Sequence, residues 1–155
     1  MQQTLILIKP DGVQRRLMGR ILGRFEEKGL QVVGAKLMKI PHELAERHYA
    51  SHKGKPFYPG LVSFMTSGPV LALALSGKNS VAVVRKMLGA TFGSKAEPGT
   101  IRGDFGISDG FNLVHASDSP ETAKVEVSLF FKPEEVVEYQ MADTPWVYDT
   151  SSDLR

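Results

Sequence analysis

No cysteine occurs anywhere in the chain, which excludes disulfides, thiolate metal sites and thiol catalysis at once. A surplus of one charge is equally lacking. Nineteen basic residues face seventeen acidic ones for a net +2, too balanced to argue for a nucleic-acid groove. No apolar run approaches the ~20 residues of a membrane span. No signal peptide is recognised either, because Met1-Gln2-Gln3-Thr4 runs straight into Leu5-Ile6-Leu7-Ile8. The phosphate loop Gly-x-x-x-x-Gly-Lys-Ser/Thr is missing, and so are the glycine-rich and catalytic loops of protein kinases. A cytoplasmic protein without membrane or nucleic-acid partners is the expectation.

What is present fits one domain over residues 1–155. With 42% hydrophobic and 23% charged residues, the chain is ordinary for a globular protein and long enough to bury about two-thirds of its unfolded surface. Thr4–Lys9 reads as a buried strand. Ile21, Leu22 and Phe25 have helical spacing up to Gly29. Strands are predicted over Leu30–Ile40 and Pro69–Ser76, and helices over Pro41–His48 and Phe57–Met65. Asn79 is a fair N-cap for a helix over Ser80–Leu88, closed by Gly89. Residues 90–111, with five glycines and one proline, read as a long loop, and a loop of that length inside a compact domain has a job. A fourth strand and a final helix complete an α/β sandwich whose first two strands are parallel or antiparallel on this reading.

Asn112-Leu113-Val114-His115-Ala116-Ser117-Asp118 is the most informative stretch. A short apolar run delivers His115 into small and polar residues, and Ser119-Pro120 then reads as a helix N-cap followed by proline at the first helical position. Neutral imidazole is a competent nucleophile near pH 7, and a helix N-terminus nearby favours an anionic substrate. Taken alone, a histidine that merely ends a strand is the commoner reading.

Two further clusters bear on it. Pro98-Gly99-Thr100-Ile101-Arg102-Gly103-Asp104-Phe105 sets an arginine between glycines, where its planar fork suits phosphate oxygens. The alternative is a surface turn held by an Arg102–Asp104 pair. Ile8-Lys9-Pro10-Asp11-Gly12-Val13 ends the first strand on a lysine before a Pro-Asp-Gly turn.

The three clusters together resemble nucleoside diphosphate kinase. With them go Gln14-Arg15, His48-Tyr49, Lys55-Pro56-Phe57, Ser67-Gly68-Pro69-Val70 and Met87-Leu88-Gly89-Ala90-Thr91, so the likeness runs over about residues 3 to 149. The resemblance implies a ferredoxin-like α+β sandwich with a four-stranded antiparallel sheet covered by helices, and a long loop contacting other subunits. It also implies a ping-pong enzyme that passes the γ-phosphoryl of a nucleoside triphosphate, mainly ATP, through a phosphohistidine on His115 to a nucleoside diphosphate, maintaining NTP and dNTP pools. By the same resemblance Lys9, Arg85 and Arg102 are phosphate ligands, and Thr91 and Asn112 are hydroxyl and amide donors. Tyr49 lines the histidine pocket, Phe57 stacks on the base beside Leu61, and Glu126 orients His115. Mg²⁺ is the implied cofactor, held mainly by the nucleotide phosphates with Asp118 touching it through water. A homo-oligomer is implied, a hexamer in preference to a tetramer, with the tail of about 133–155 packing on the domain or a neighbouring subunit.

Local pattern divides over Glu126. Thr122, Ala123, Leu129 and Phe130 give it an apolar helical face, yet Val125, Val127 and Leu129 alternate with polar residues as in a half-buried strand. His42, His48 and His52 match no metal spacing and read as solvated. Met18, Met38, Met65 and Met87 read as gap-filling core. Trp146 needs a docking surface on this or a neighbouring subunit. Three positions depart from the family's pattern. Ala116 follows the histidine where glycine is usual, and Gly93 replaces a loop proline and is expected to loosen it. Asp109 falls near the wall opposite Phe57. Two other classes use the same parts: a phosphate-binding module without chemistry, and a histidine phosphocarrier fed by a partner protein.

Overall fold

Leu5-Ile6-Leu7-Ile8 is apolar at every position because it is buried on both sides. In the computed structural model, which describes residues 1–154, β1 (Gln2–Ile8) lies inside a four-stranded sheet. β2 (Gln31–Met38), β3 (Val70–Gly77) and β4 (Val114–Ala116) complete it in the order β2-β3-β1-β4, every neighbour antiparallel. This is the expected ferredoxin-like arrangement, and it resolves the direction of the first strand pair: β3 lies between β1 and β2, antiparallel to both.

Alternation along β1 sorts the core into two layers. Leu5 and Leu7 join Val33, Ala72, Met65 and Phe130 under α3 (His42–His48), α4 (Tyr58–Met65) and α7 (Pro120–Phe130). Ile6 and Ile8 join Leu73, Leu75, Phe25 and Leu88 under α2 (Met18–Glu27) and α5 (Ser80–Leu88). Each such fully buried side chain contributes about 1.5–3 kcal/mol. Met65 is buried, and Met18, Met38 and Met87 pack partly buried against these layers, as expected of gap-filling residues.

Three local readings need correction. Pro10-Asp11-Gly12 opens a short helix, α1 (Pro10–Gln14), rather than a bare turn. Residues 90–111 are not structureless, for they hold a 3-10 turn (Gly93–Lys95) and α6 (Ile101–Phe105), whose N-cap Thr100 accepts from the Gly103 N–H. Asn79 precedes α5 but does not cap it with its side chain, being itself left-handed at φ 52°. Gln2 does that work across the sheet, its Oε1 accepting from Val81 N at 2.8 Å. Gly89 closes the helix at φ 84°, as predicted.

One backbone feature governs the site. Leu113, fully buried, sits at φ 72° immediately before β4, a region costly for a residue with a Cβ. Its N–H donates to Asp11 Oδ2 at 3.1 Å and its carbonyl accepts from Lys9 N at 2.8 Å. The tail crosses the edge strand, with Val137 N bonding Val33 O at 2.7 Å and the Tyr139 hydroxyl bonding Val32 O at 2.8 Å. Trp146 finds no dock on its own domain and stands 91% exposed.

Candidate active site

Sheet register decides where His115 points. It pairs with Leu7, so its ring shares the face of Leu5 and Leu7, under α3 and α7. Capping at Ser119, whose Oγ accepts from Thr122 N, and Pro120 at the first position start α7 where the sequence placed it. The helical reading of Glu126 is therefore the right one. Ala123, Val127 and Phe130 carry that face into the core, and Glu126 goes in with them. Both Glu126 carboxylate oxygens lie 3.1 Å from His115 Nε2. The carboxylate accepts, so the proton sits on Nε2 and the Nδ1 lone pair is left free. Ser117 Oγ donates to Glu126 Oε1 at 2.6 Å and accepts from Leu5 N at 3.2 Å. Burial works against the charge on Glu126, yet the hydrogen bonds from His115 and Ser117 outweigh it and hold the carboxyl below its usual range.

Three cations flank the backbone of residues 112–116. Lys9 Nζ donates to Asn112 Oδ1 at 2.7 Å, and Asn112 Nδ2 donates to Thr91 O at 2.9 Å. Burial, with Arg102 nearby, lowers the Lys9 ammonium to about 8. Arg85 Nη1 reaches Ala116 O at 3.3 Å. Arg102 turns inward rather than pairing with Asp104, which takes Arg24 instead. Its Nε, Nη1 and Nη2 bond the carbonyls of Asn112 (3.1 Å), Gly89 (3.3 Å) and Val114 (2.6 Å), leaving two of the ~five guanidinium N–H groups free. Burial and Arg85 lower it to about 10, so it stays charged at neutral pH.

Arg102 is thus a structural strut as well as a charge. Arg102→Ala frees three carbonyls, each costing up to about 1–3 kcal/mol when left buried and unpaired. The expected result is a lower urea midpoint. Unchanged stability would mean water satisfies all three.

Aromatic rings line the approach to the histidine. Tyr49 is buried with its ring 6.5 Å from His115, and its hydroxyl has no hydrogen-bond partner among the described residues. Phe57 is exposed at the start of α4, one turn before Leu61, and connects to Tyr49 through the His52 ring, 5.3 Å from Phe57 and 6.3 Å from Tyr49. Asp109 is tied to Ser94 Oγ at 2.5 Å. Phe111, which the sequence reading passed over, packs on Phe64 at 5.2 Å. Asp118 is exposed and lines one surface hollow with Arg85 and Lys86. Thr91 is exposed, with its carbonyl already engaged.

His48 overturns its reading as a solvated histidine. Its side chain is 1% exposed, its ring stands edge-on to His115 at 4.6 Å, and its Nδ1 lies 3.4 Å from Glu126 Oε2. Burial and His115 push its imidazole down to about 3, so it is neutral. The missed signal was helical: Leu44, Ala45, His48 and Tyr49 share one face of α3. Ser117 was missed too, although two residues beyond His115 on an extended chain is the same face. His42 pairs with Glu46 at the surface, as expected of a solvated residue. The departures also resolve. Ala116 is buried in the second core layer, which accepts its methyl. Gly93 is buried against the Gly106 backbone, where a Cβ would collide, so it packs the loop rather than loosening it.

Comparisons with known proteins agree with this geometry. The family model described as nucleoside diphosphate kinase matches residues 2–136. A nucleoside diphosphate kinase of Archaeoglobus fulgidus is 52% identical over 149 residues, covering 96% of this chain and 99% of the relative. That of Carboxydothermus hydrogenoformans is 54% identical, covering 96% and 100%. The halophilic nucleoside diphosphate kinase of Halobacterium salinarum, solved in complex with CDP, superposes at a TM-score of 0.93 with 48% identity, over 95% of this chain and 98% of the other. The chain belongs to the nucleoside diphosphate kinase family, enzymes that carry a phosphoryl group from a nucleoside triphosphate to a nucleoside diphosphate through a phosphohistidine.

Proposed function

We propose that His115 is the residue phosphorylated, through Nδ1. The observation that carries this is the Nε2–Glu126 contact, which leaves Nδ1 as the free lone pair of the pocket. Nδ1 attacks the γ-phosphorus of ATP, the bond to the β–γ bridging oxygen breaks, and its electron pair leaves on the diphosphate. In the second half a terminal oxygen of the acceptor diphosphate attacks the same phosphorus, and the N–P bond returns its pair to Nδ1. Such chemistry asks the protein for position and charge. Lys9, Arg85 and the two spare donors of Arg102 neutralise the equatorial oxygens, while Asn112 and the Thr91 hydroxyl contact the phosphate and sugar end. Phe57 and Leu61 stack against the base, a contact tolerant of base identity, so purine and pyrimidine diphosphates both serve. Tyr49 walls the histidine. Exposed Asp118 beside Arg85 suits outer-sphere contact with a hydrated cation. Mg²⁺, when carried in on the nucleotide phosphates, would supply further charge neutralisation, with Asp118 placed to meet its water.

The working test is labelled ATP without acceptor: the protein takes up label stable in alkali and labile in acid, and GDP or CDP then discharges it. Absence of label sinks the reading.

Lys9 gives the reading a pH signature. Phosphate binds its charged form, whose free-state midpoint is about 8. Affinity for ATP is flat below that value. Above it the Kd rises, approaching tenfold per pH unit until the bound lysine itself titrates. Isothermal titration between pH 7 and 9.5 checks this, and a flat Kd across that range contradicts it.

A cytoplasmic homo-oligomer in a single domain, hexameric rather than tetrameric, completes the proposal. Its support is the free Trp146 and the exposed Phe92 and Ile107 of the 90–111 segment, more apolar surface than a monomer usefully leaves bare. Among the described residues no helix is long and apolar enough to cross a membrane. Light scattering over a dilution series should show one large species, and a stable monomer would end the idea.

A further inference from the structure

We propose that His48 is a positioning residue for phosphoryl transfer: it turns Nδ1 toward Glu126 Oε2 at 3.4 Å and packs edge-on against His115, so that Nε2 stays on the carboxylate and Nδ1 stays presented to the incoming phosphoryl group. The inference rests on the reading of His115 as the nucleophile.

The geometry is that of a caged ring. Phe130 (5.1 Å, 89°), Tyr49 (4.5 Å, 70°) and His115 (4.6 Å, 82°) surround it edge-to-face. Apolar packing of that kind wants a phenylalanine. An imidazole there leaves both nitrogens buried without a hydrogen bond among the described residues, a standing loss of stability. The loss is reduced in one direction only, toward Glu126 Oε2 at 3.4 Å. A carboxylate oxygen can only accept, which fixes the proton on His48 Nδ1. A small approach of Glu126 as charge develops on His115 turns this contact into a bond.

The partners divide the carboxylate between them. Ser117 takes Oε1, His48 faces Oε2, and His115 Nε2 is shared between both. Ser117 holds one side of the carboxylate, His48 packs against the other, and the His48 ring stands edge-on to His115 at 4.6 Å, an arrangement that restrains both the carboxylate and the His115 ring. The neutral state of His48 matters as well, because it adds no positive charge beside an imidazole about to accept a phosphoryl group. His48, His115 and Glu126 bring candidate ligand atoms within 4.8 Å of one another. A divalent ion among them would displace the Nε2 proton that keeps Nδ1 nucleophilic, so the cluster is built to direct a proton.

The test uses His48→Phe, which keeps the ring and loses the donor, and His48→Asn, which keeps an N–H near the Nδ1 position and loses the ring. Single-turnover formation of phosphohistidine should fall about tenfold in the phenylalanine variant, the scale of an orienting group behind a reactive histidine. The KM for ATP should stay unchanged and the melting temperature should not fall. The asparagine variant should recover part of the rate. A wild-type rate in His48→Phe, or a folded His48→Asn no faster than it, overturns the proposal. Should one variant misfold, the other decides: a wild-type rate in the first, or a loss beyond about a hundredfold in the second, is fatal. Wild-type protein that takes no label fails the catalytic reading instead, and that is seen before any variant is made.

Discussion

His115→Ala takes no label from γ-labelled ATP, provided the preparation is freed of host kinase, and still binds nucleotide. Removing the atom that forms the covalent intermediate leaves only positioning and charge, and losses on the order of 10⁶ in turnover are the scale for a deleted nucleophile. Binding should survive, because Lys9, Arg85, Arg102 and Phe57, the residues proposed to hold the nucleotide, are anchored by contacts that do not include the His115 ring. The fold survives too, since Glu126 keeps its bond from Ser117 and the truncated ring was part-exposed. Label incorporation, followed by equilibrium titration of ATP, separates the two effects. Substantial kinase activity in the variant would mean transfer does not pass through this residue.

Glu126→Gln should be nearly as severe, for a different reason. The amide has the size of the carboxylate but is not an acceptor on both arms. One arm becomes an NH₂, which can only donate, although both arms lie 3.1 Å from Nε2. With the amide oxygen held by the Ser117 hydroxyl, the NH₂ meets Nε2 and favours the tautomer whose proton sits on Nδ1, where the attacking lone pair would be. A wrong histidine tautomer behind intact geometry costs about 10⁴ in rate. Phosphohistidine formation in rapid quench reports that loss, and ring-nitrogen NMR shifts report the tautomer. Retained Nε2 protonation with near-normal rate would show that Glu126 serves only to pack. Lowering pH reproduces part of the effect without mutation. Glu126 titrates below the ordinary carboxylate range, so the hydrogen bond to His115 persists through mildly acidic buffers and fails only when pH drops beneath that range.

The sequence disclosed the fold where periodicity was strong and the site where chemistry was local. The β1 run, the Ser119-Pro120 start of α7 and the Gly89 stop are read from one or two residues each, because capping and burial leave a direct residue signature. α6 was hidden because five glycines and a proline in 90–111 obscure a helix of five residues whose stability comes from Arg102 reaching into β4. Glu126 stayed ambiguous since helix and strand periods overlap over short spans. Arg102 as a strut was invisible, for its carbonyl partners are fixed by tertiary placement alone. His48 was legible in principle from the face it shares with Ala45 and Tyr49. A polar residue type masked it.

The left-handed Leu113 has a mechanical meaning. Its amide and carbonyl grip Asp11 and Lys9, so the start of α1 and the approach to β4 form a single clasp across 102 residues of chain. A residue held in that conformation stores on the order of 1–2 kcal/mol, which the buried leucine side chain and both hydrogen bonds offset. Lys9 and His115, the proposed phosphate ligand and nucleophile, are thereby mounted on one rigid frame before any ligand arrives. Little reorganisation entropy is then lost when substrate enters, and its binding energy is left for the distortion of the phosphoryl group itself.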